Sequence, residues 1–347
     1  MTLLEVKDLT REFKILNRRE GLKGAVKDLF SRDYKTLTAV NHVNFSIQEG
    51  EIVGFIGSNG AGKSTTIKMM TGLIKPTSGN VTVMGYNPMK DKMEYLKKIG
   101  VVFGQRTQLW WELPVIESFK LLKDIYQVDD KHFNEMIDIF DELANIKELY
   151  MTPTRNLSLG QRMLCDIAGA FLHNPKIIFL DEPTIGLDVN IKARMRSMIR
   201  YLNQTMKTTV VLTTHDTGDI EELADRIILI DKGKILYDGE AEAFHHIFGA
   251  YKTIKVKLKD TDLASVPQAV ERISNALANV PDVKVQEQEA GWIQVVVNDE
   301  LTNIDEVIKT ILEVYKCKDL MINDVELASV LQRVYNGDVD ISVRRKK

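Results

Sequence analysis

Eight consecutive residues carry the most legible chemistry in this chain. Gly57, Ser58, Asn59, Gly60, Ala61, Gly62, Lys63 and Ser64 fill the pattern G-x-x-x-x-G-K-[ST]. Glycines at these positions let the backbone enter φ > 0 conformations, so that successive N–H groups turn inward around phosphate oxygens. Lys63 supplies a point charge to the β- and γ-phosphates, and the Ser64 hydroxyl is placed to hold Mg²⁺. Such a motif acts only between a strand and a helix. The apolar run 52–56 reads as a buried strand and 65–70 as a helix, whose dipole and unpaired first-turn donors, beginning at Thr65, face the same anion. The implied ligand is a nucleoside triphosphate.

Further elements bring other polar residues to comparable positions. The run 176–180 (KIIFL) is short and continuously apolar, as in a central parallel strand covered on both faces. It delivers Asp181 and Glu182 at its carboxyl end, where α/β proteins bind ligands. A second buried strand, 209–213, ends at His215. Ser158 and Gly160 open a helix that runs to about residue 172, a second anion site by the same dipole argument.

Around these lie strands at 3–9, 43–47, 80–84 and 97–103, and helices at 115–126, 131–150 and 190–206. The helix over 131–150 carries Phe133, Met136, Ile137, Phe140 and Leu143 on one face. Residues 106–175 therefore read as a helical subdomain inserted into an α/β core, and 227–239 as a closing hairpin. The first domain spans 1–248. Near Tyr251 the pattern resets to strand, helix, hairpin around Gly291, helix and short strand, with a last helix at 325–335. That βαββαβ order predicts a small ferredoxin-like α+β domain over 249–347. It holds no cluster of His, Cys or paired acids, so its expected role is regulatory or structural.

An insert at 14–38 separates the first two strands. It is basic, and Leu22, Ala25, Val26, Leu29 and Phe30 fall on one helical face. Such a helix either lies on an anionic membrane surface or packs on its own domain with a solvated basic side.

The composition is that of an ordinary globular protein: 347 residues, 27% charged and 44% apolar, enough for two cores. A net charge of −3 argues against nucleic-acid binding driven by bulk electrostatics. Cys165 and Cys317 form no ligand or disulfide pattern and read as plain thiols in a reducing compartment. No stretch reaches the roughly 18 apolar residues needed to span a bilayer, and the N-terminus lacks a signal-peptide core. The expectation is a cytoplasmic chain whose membrane role comes through a partner or a surface contact.

Taken in order, the loop at 57–64, Gln105 after a strand, LSLGQ at 157–161, IIFLDEP at 177–183, Gly186-Leu187-Asp188 and His215 resemble the ATP-binding cassette (ABC) ATPases. The resemblance covers roughly residues 3–239. It implies a P-loop NTPase core that binds ATP and Mg²⁺, with Ser64, Gln105 and Asp181 around the metal. Glu182 becomes the general base for water, His215 contacts the γ-phosphate and that water, and Gln105 reaches the Mg²⁺ or the water. Ser158, Gly160 and Gln161 would complete the nucleotide site of a second subunit, with Asp188 at the same interface. One motif set per chain then implies a homodimer. Leu159 and Ile185 depart from the glycine and serine usual in the family. No tyrosine stands at the usual adenine-stacking position; Phe13, with Tyr34 in reserve, is the candidate, unless each is simply a core aromatic.

The single cassette, the C-terminal extension and the LSLGQR sequence look like ATPases of drug, lipid or glycan exporters, which pair with separate membrane permeases. Trp110 and Trp111 either dock such a permease or are buried in the helical subdomain. The alternatives are a soluble ABC ATPase acting on ribosomes or DNA, and a nucleotide-sensing regulator.

Overall fold

The computed structural model describes residues 1–16, 34–104, 106–214, 216–248, 251–258, 266–288, 291–299 and 301–324. The chain divides into two compact units, Met1–Ala241 and Glu242–Lys347.

In the first unit a long hairpin of β1 (Thr2–Leu16) and β2 (Tyr34–Gln48) precedes β3 (Ile52–Ile56), the phosphate-loop strand. Then come α1 (Lys63–Met70), β4 (Ser78–Val83), α2 (Lys92–Leu96) and β5 (Ile99–Phe103). Helices α3 (Val115–Tyr126), α4 (Asp130–Ala144) and α5 (Leu159–Phe171) lead to β6 (Ile177–Asp181). The rest is α6 (Val189–Met206), β7 (Thr209–Thr214), α7 (Thr217–Leu223), β8 (Arg226–Asp231) and β9 (Lys234–Glu240).

Two sheets result. One is antiparallel, in the order β2-β1-β4; the other runs β5-β6-β7-β3-β8-β9, parallel except for its last strand. Every residue of β3 and β7 is buried, which explains their unbroken apolar and threonine sequences. The registers pair Phe103 with Asp181, Asp181 with Thr213, and Ile56 with Thr214, so four carboxyl ends finish level. Loops leaving that edge are thereby forced together, at the end where open α/β sheets bind ligands.

The helical region shares one apolar core with the sheet. Phe119, Phe140 and Ile167 pack in the same cluster as Val102, Leu180 and Leu212. The helix expected over 131–150 stops at Ala144, because Asn145 turns left-handed at φ 54° and a 3-10 turn, Ile146–Leu149, follows. The second strand begins at Tyr34, well before the expected residue 43: Lys14, Ile15 and Leu16 pair with Thr36, Lys35 and Tyr34. The flanks of the insert are thus strand, and its expected helix, with Leu22 to Phe30, lies outside the described residues.

A helix α8 (Ala241–Phe248) leads into the second unit. There β10 (Tyr251–Leu258), α9 (Val266–Ala276), β11 (Lys284–Gln288), β12 (Trp292–Asn298), α10 (Ile304–Val314) and β13 (Cys317–Asp324) form an antiparallel sheet ordered β11-β12-β10-β13. Ile254, Val256, Ile293 and Val295 of the sheet share a core with Ile273 of α9 and Ile311 of α10. Residues 325–347, with the expected last helix, lie outside the described residues. Both cysteines are free, one in each unit.

Candidate functional site

Between β3 and α1 the chain forms a cleft of about 750 Å³ lined by residues 58–65, Asp181 and Glu182. Gly62 sets the entry to α1 at φ 112°, and a Cβ there would meet the Ala39 carbonyl at 2.5 Å. Only glycine fits, so the loop can curl as the motif requires. Lys63 is buried, and its ammonium donates to the carbonyls of Gly57 (2.7 Å) and Ser58 (3.2 Å). The same nitrogen lies 3.6 Å from Glu182 Oε1. Ser58 donates to Asp231 at the end of β8 over 2.7 Å, tying the loop to the sheet.

Asp181 is held from two sides: the hydroxyls of Ser64 (2.9 Å) and Thr213 (2.8 Å) both donate to its Oδ1. Glu182 has φ 54°, an uncommon conformation for a non-glycine residue. Its N–H donates to the carbonyl (3.1 Å) and hydroxyl (2.9 Å) of Thr213, which keep it there. Gly104, at the end of β5, donates to the Asp181 carbonyl over 2.8 Å; a Cβ on it would lie 2.3 Å from the Glu182 carbonyl oxygen. Close passage of these two loops therefore depends on a missing side chain.

The helix tip around Ser158 does not line this cleft. Ser158 and Gln161 form a capping box: Ser158 N–H donates to Gln161 Oε1 (2.9 Å), and Gln161 N–H to Ser158 Oγ (3.2 Å). Asp188 caps α6 by accepting from the N–H groups of Asn190 and Ile191, each at 3.0 Å. The two caps pack together, since a Cβ on Gly160 would meet Ile191 at 3.0 Å and one on Gly186 would meet Leu159 at 3.3 Å. Ser158, Gly160, Gln161 and Asp188 thus form one surface feature, separate from the phosphate loop of their own chain.

Phe13 does not line the cleft; it pairs with Leu37 under the Arg11 guanidinium, 4.5 Å from the ring centre. Tyr34 is half exposed at the far end of the hairpin. Gln105 and His215 lie outside the described residues, although Arg106 lines the cleft and Thr214 ends β7. Lys68, Arg106, Leu73 and Phe103 line the cleft without having been singled out in the sequence. Lys68 had one available signal, its position one helical turn after Ser64. Trp110 and Trp111 are 38% and 48% exposed, which settles against their burial.

The ABC transporter family model matches residues 40–185. The ABC transporter ATP-binding protein NatA of Bacillus subtilis (strain 168) is 31% identical over 216 residues, 62% of this chain and 87% of NatA. The chain belongs to the ABC transporter family. Within it, the bacitracin transport ATP-binding protein BcrA of Bacillus licheniformis is 36% identical over 62% of this chain and 68% of its own length. The chain spans only 30% of the ABC transporter A family member 1 of Dictyostelium discoideum, at 29% identity. Among solved structures, the dimeric cassette MJ0796 in a post-hydrolysis state with ADP and Pi matches with a TM-score of 0.57 at 27% identity. That match covers 69% of this chain and 99% of the cassette. The matched residues 40–185 belong to an ABC ATPase domain, and such domains bind ATP.

Proposed function

We propose that this chain is the ATP-hydrolysing subunit of an ABC exporter, working at the cytoplasmic face of a membrane through a separate permease. The observation that carries the reading is the meeting of Lys63, Ser64, Asp181 and Glu182 in one cleft, with Lys63 Nζ 3.6 Å from Glu182 Oε1 and Ser64 Oγ 2.9 Å from Asp181 Oδ1. The names of BcrA, a bacitracin transport protein, and of YbhF of Escherichia coli, a multidrug ABC transporter protein, support transport of antibiotics or drugs, which we read as export. Trp110 and Trp111, both exposed, offer aromatic anchors for a permease helix.

The ATP phosphates sit against the N–H groups of residues 58–65, with Lys63 drawing the β- and γ-oxygens. Ser64 and Asp181 suit Mg²⁺: both present hard oxygens, and among the described residues no cluster of three or more His, Cys, Asp or Glu competes as a metal cage. The ion supplies charge neutralisation to the phosphates when bound. Glu182 orients a water and accepts its proton as the oxygen bonds to the γ-phosphorus; the bond to the β–γ bridging oxygen breaks and ADP keeps the electron pair. His215 assists at the γ-phosphate and the water, and Gln105 at the Mg²⁺ or the water. A second copy closes over the nucleotide with Ser158, Gly160 and Gln161, and its Asp188 lies at the seam. Phe13 remains the candidate for the base. The basic insert contacts lipid or permease, and the second unit is regulatory or structural.

Glu182→Gln tests the core of this reading. Nucleotide binding should persist, turnover should vanish, and dimer should accumulate with ATP and Mg²⁺ by light scattering. Turnover at the wild-type rate would remove Glu182 from its role. The methionine import protein MetN of Geobacillus kaustophilus, 35% identical over 59% of this chain, motivates import as a second reading. Transport into or out of vesicles holding the chain and its permease decides between them.

A further inference from the structure

Outside the cleft, one carboxylate ties together the two loops that carry the reacting groups. Asp219, on α7, is fully buried. Its Oδ2 accepts from the Thr184 hydroxyl and from the Thr214 hydroxyl (2.8 Å), and its Oδ1 from Arg196 Nε (2.8 Å). Thr184 lies two residues after Glu182, and Thr214 is the last residue of β7, directly before His215. Both hydroxyls are buried. Asp219 therefore fixes the chain on either side of the site without lining it.

The anchor is itself braced. Arg196 of α6 also donates to Glu222 (2.7 Å) and reaches Asp216 (3.4 Å), while Lys192 donates to the other oxygen of Asp216. Asp216 N–H donates back to the Thr214 hydroxyl over 3.0 Å. A Cβ on Gly218 would meet Arg196 Nη2 at 2.9 Å, so the guanidinium occupies space that only glycine leaves open. Packing alone would not call for a fully desolvated carboxylate accepting from three different elements. A carboxylate does fix the angle of each donor, as positioning two loops requires.

We propose that Asp219 is a positioning residue for ATP hydrolysis, setting Glu182 through Thr184 and through Thr214, the neighbour of the Thr213 that holds the Glu182 N–H, with Arg196 holding its orientation. The inference rests on the role given to Glu182 under the proposed function. Phosphate binding, which depends on residues 58–65, stays outside its reach. Loss of the anchor should therefore slow turnover and leave nucleotide affinity alone.

The test uses the full chain. Turnover and KM for ATP, and affinity for a fluorescent ATP analogue, are measured in Asp219→Asn, Asp219→Glu, Thr184→Val and Thr214→Val. Asp219→Asn should lower kcat by about 10- to 100-fold, with KM and analogue affinity within about twofold, because small misplacements of reacting groups cost that much. Thr184→Val and Thr214→Val each remove one hydroxyl and should lower kcat by about 3- to 10-fold with the same unchanged affinity. Asp219→Glu, which keeps the charge, should recover part of the loss. A kcat within about twofold of wild type in both threonine variants overturns the proposal, even if Asp219→Asn fails to fold. So does a fall in affinity that parallels the fall in kcat. Glu182→Gln run alongside separates the two levels: normal turnover there overturns the base and this inference with it. Lost turnover there, beside normal turnover in the threonine variants, overturns the positioning alone.

Discussion

The Ser64 hydroxyl donates to Asp181 Oδ1 over 2.9 Å and so joins the first turn of α1 to the end of β6. Two segments 117 residues apart thereby present their oxygens to one point beside the phosphate loop. Under the proposed function the pair would serve a cation bridging protein and phosphate, since neither oxygen suffices alone. Asp181→Asn should abolish the gain in nucleotide affinity on adding Mg²⁺ and leave metal-free affinity within about threefold, because the loop N–H groups are untouched. Calorimetric titration with and without Mg²⁺ measures both. An undiminished Mg²⁺ effect would dismiss Asp181 as a ligand.

Lys63 makes a different contribution. Its ammonium already bonds two loop carbonyls, so it shapes the loop as well as charging it. Lys63→Ala should weaken ATP binding about 10- to 100-fold, the scale of one or two charge-assisted hydrogen bonds. It should also lower stability by about 1–3 kcal/mol through the carbonyls left without that donor. Fluorescent-nucleotide titration and urea unfolding report the two effects separately.

Asp166, on α5, gives the fold a pH dependence of unusual sign. Burial pushes its carboxyl up to about 6, against the Thr107 hydroxyl (2.8 Å) and the Gln108 N–H (2.9 Å), which favour the ionised form. The folded protein therefore keeps this proton at pH values where the unfolded chain has lost it. Stability from this group falls as pH rises from about 4 to 6, by up to about 3 kcal/mol, and is flat above that. Asp166→Asn retains an oxygen for both donors and removes the titration. The difference in urea midpoint between the variant and wild type should grow in favour of the variant across this window. A constant difference would refute the shift.

At the helix tip, the 3.0 Å approach of a Gly160 Cβ to Ile191 predicts that Gly160→Val forces α5 from α6. Overpacking of this kind costs about 1–3 kcal/mol. The melting temperature should fall, and Ile191→Ala in the same chain should restore part of it. ATP-driven dimerisation should suffer more than monomer nucleotide binding, because the displaced tip lies away from its own chain's cleft.

Local patterns carried much of this structure. The phosphate loop, the buried strands β3, β6 and β7 and the start of α5 could be read because each combines a short apolar run with a distinctive polar end. The break after Ala144 was hidden, since apolar residues keep their helical spacing past Asn145 and only its left-handed backbone ends the helix. The early start of β2 was hidden for another reason: β1 and β2 pair far beyond the core, where exposed residues show no alternation. Arg106 gave no sign of lining the cleft because loop geometry, not periodicity, brings it there. The Thr184–Asp219–Thr214 group was equally silent, being assembled from three elements whose sequences look like ordinary turns.

The strand that launches the phosphate loop sits between β7 and β8, pairing Ile52 with Val210 and Gly54 with Ile227. Both neighbours are translated long after it. The motif at 57–64 thus leaves the ribosome well before the strands that brace it, and nucleotide capture by newly made protein is expected only after synthesis has passed β8.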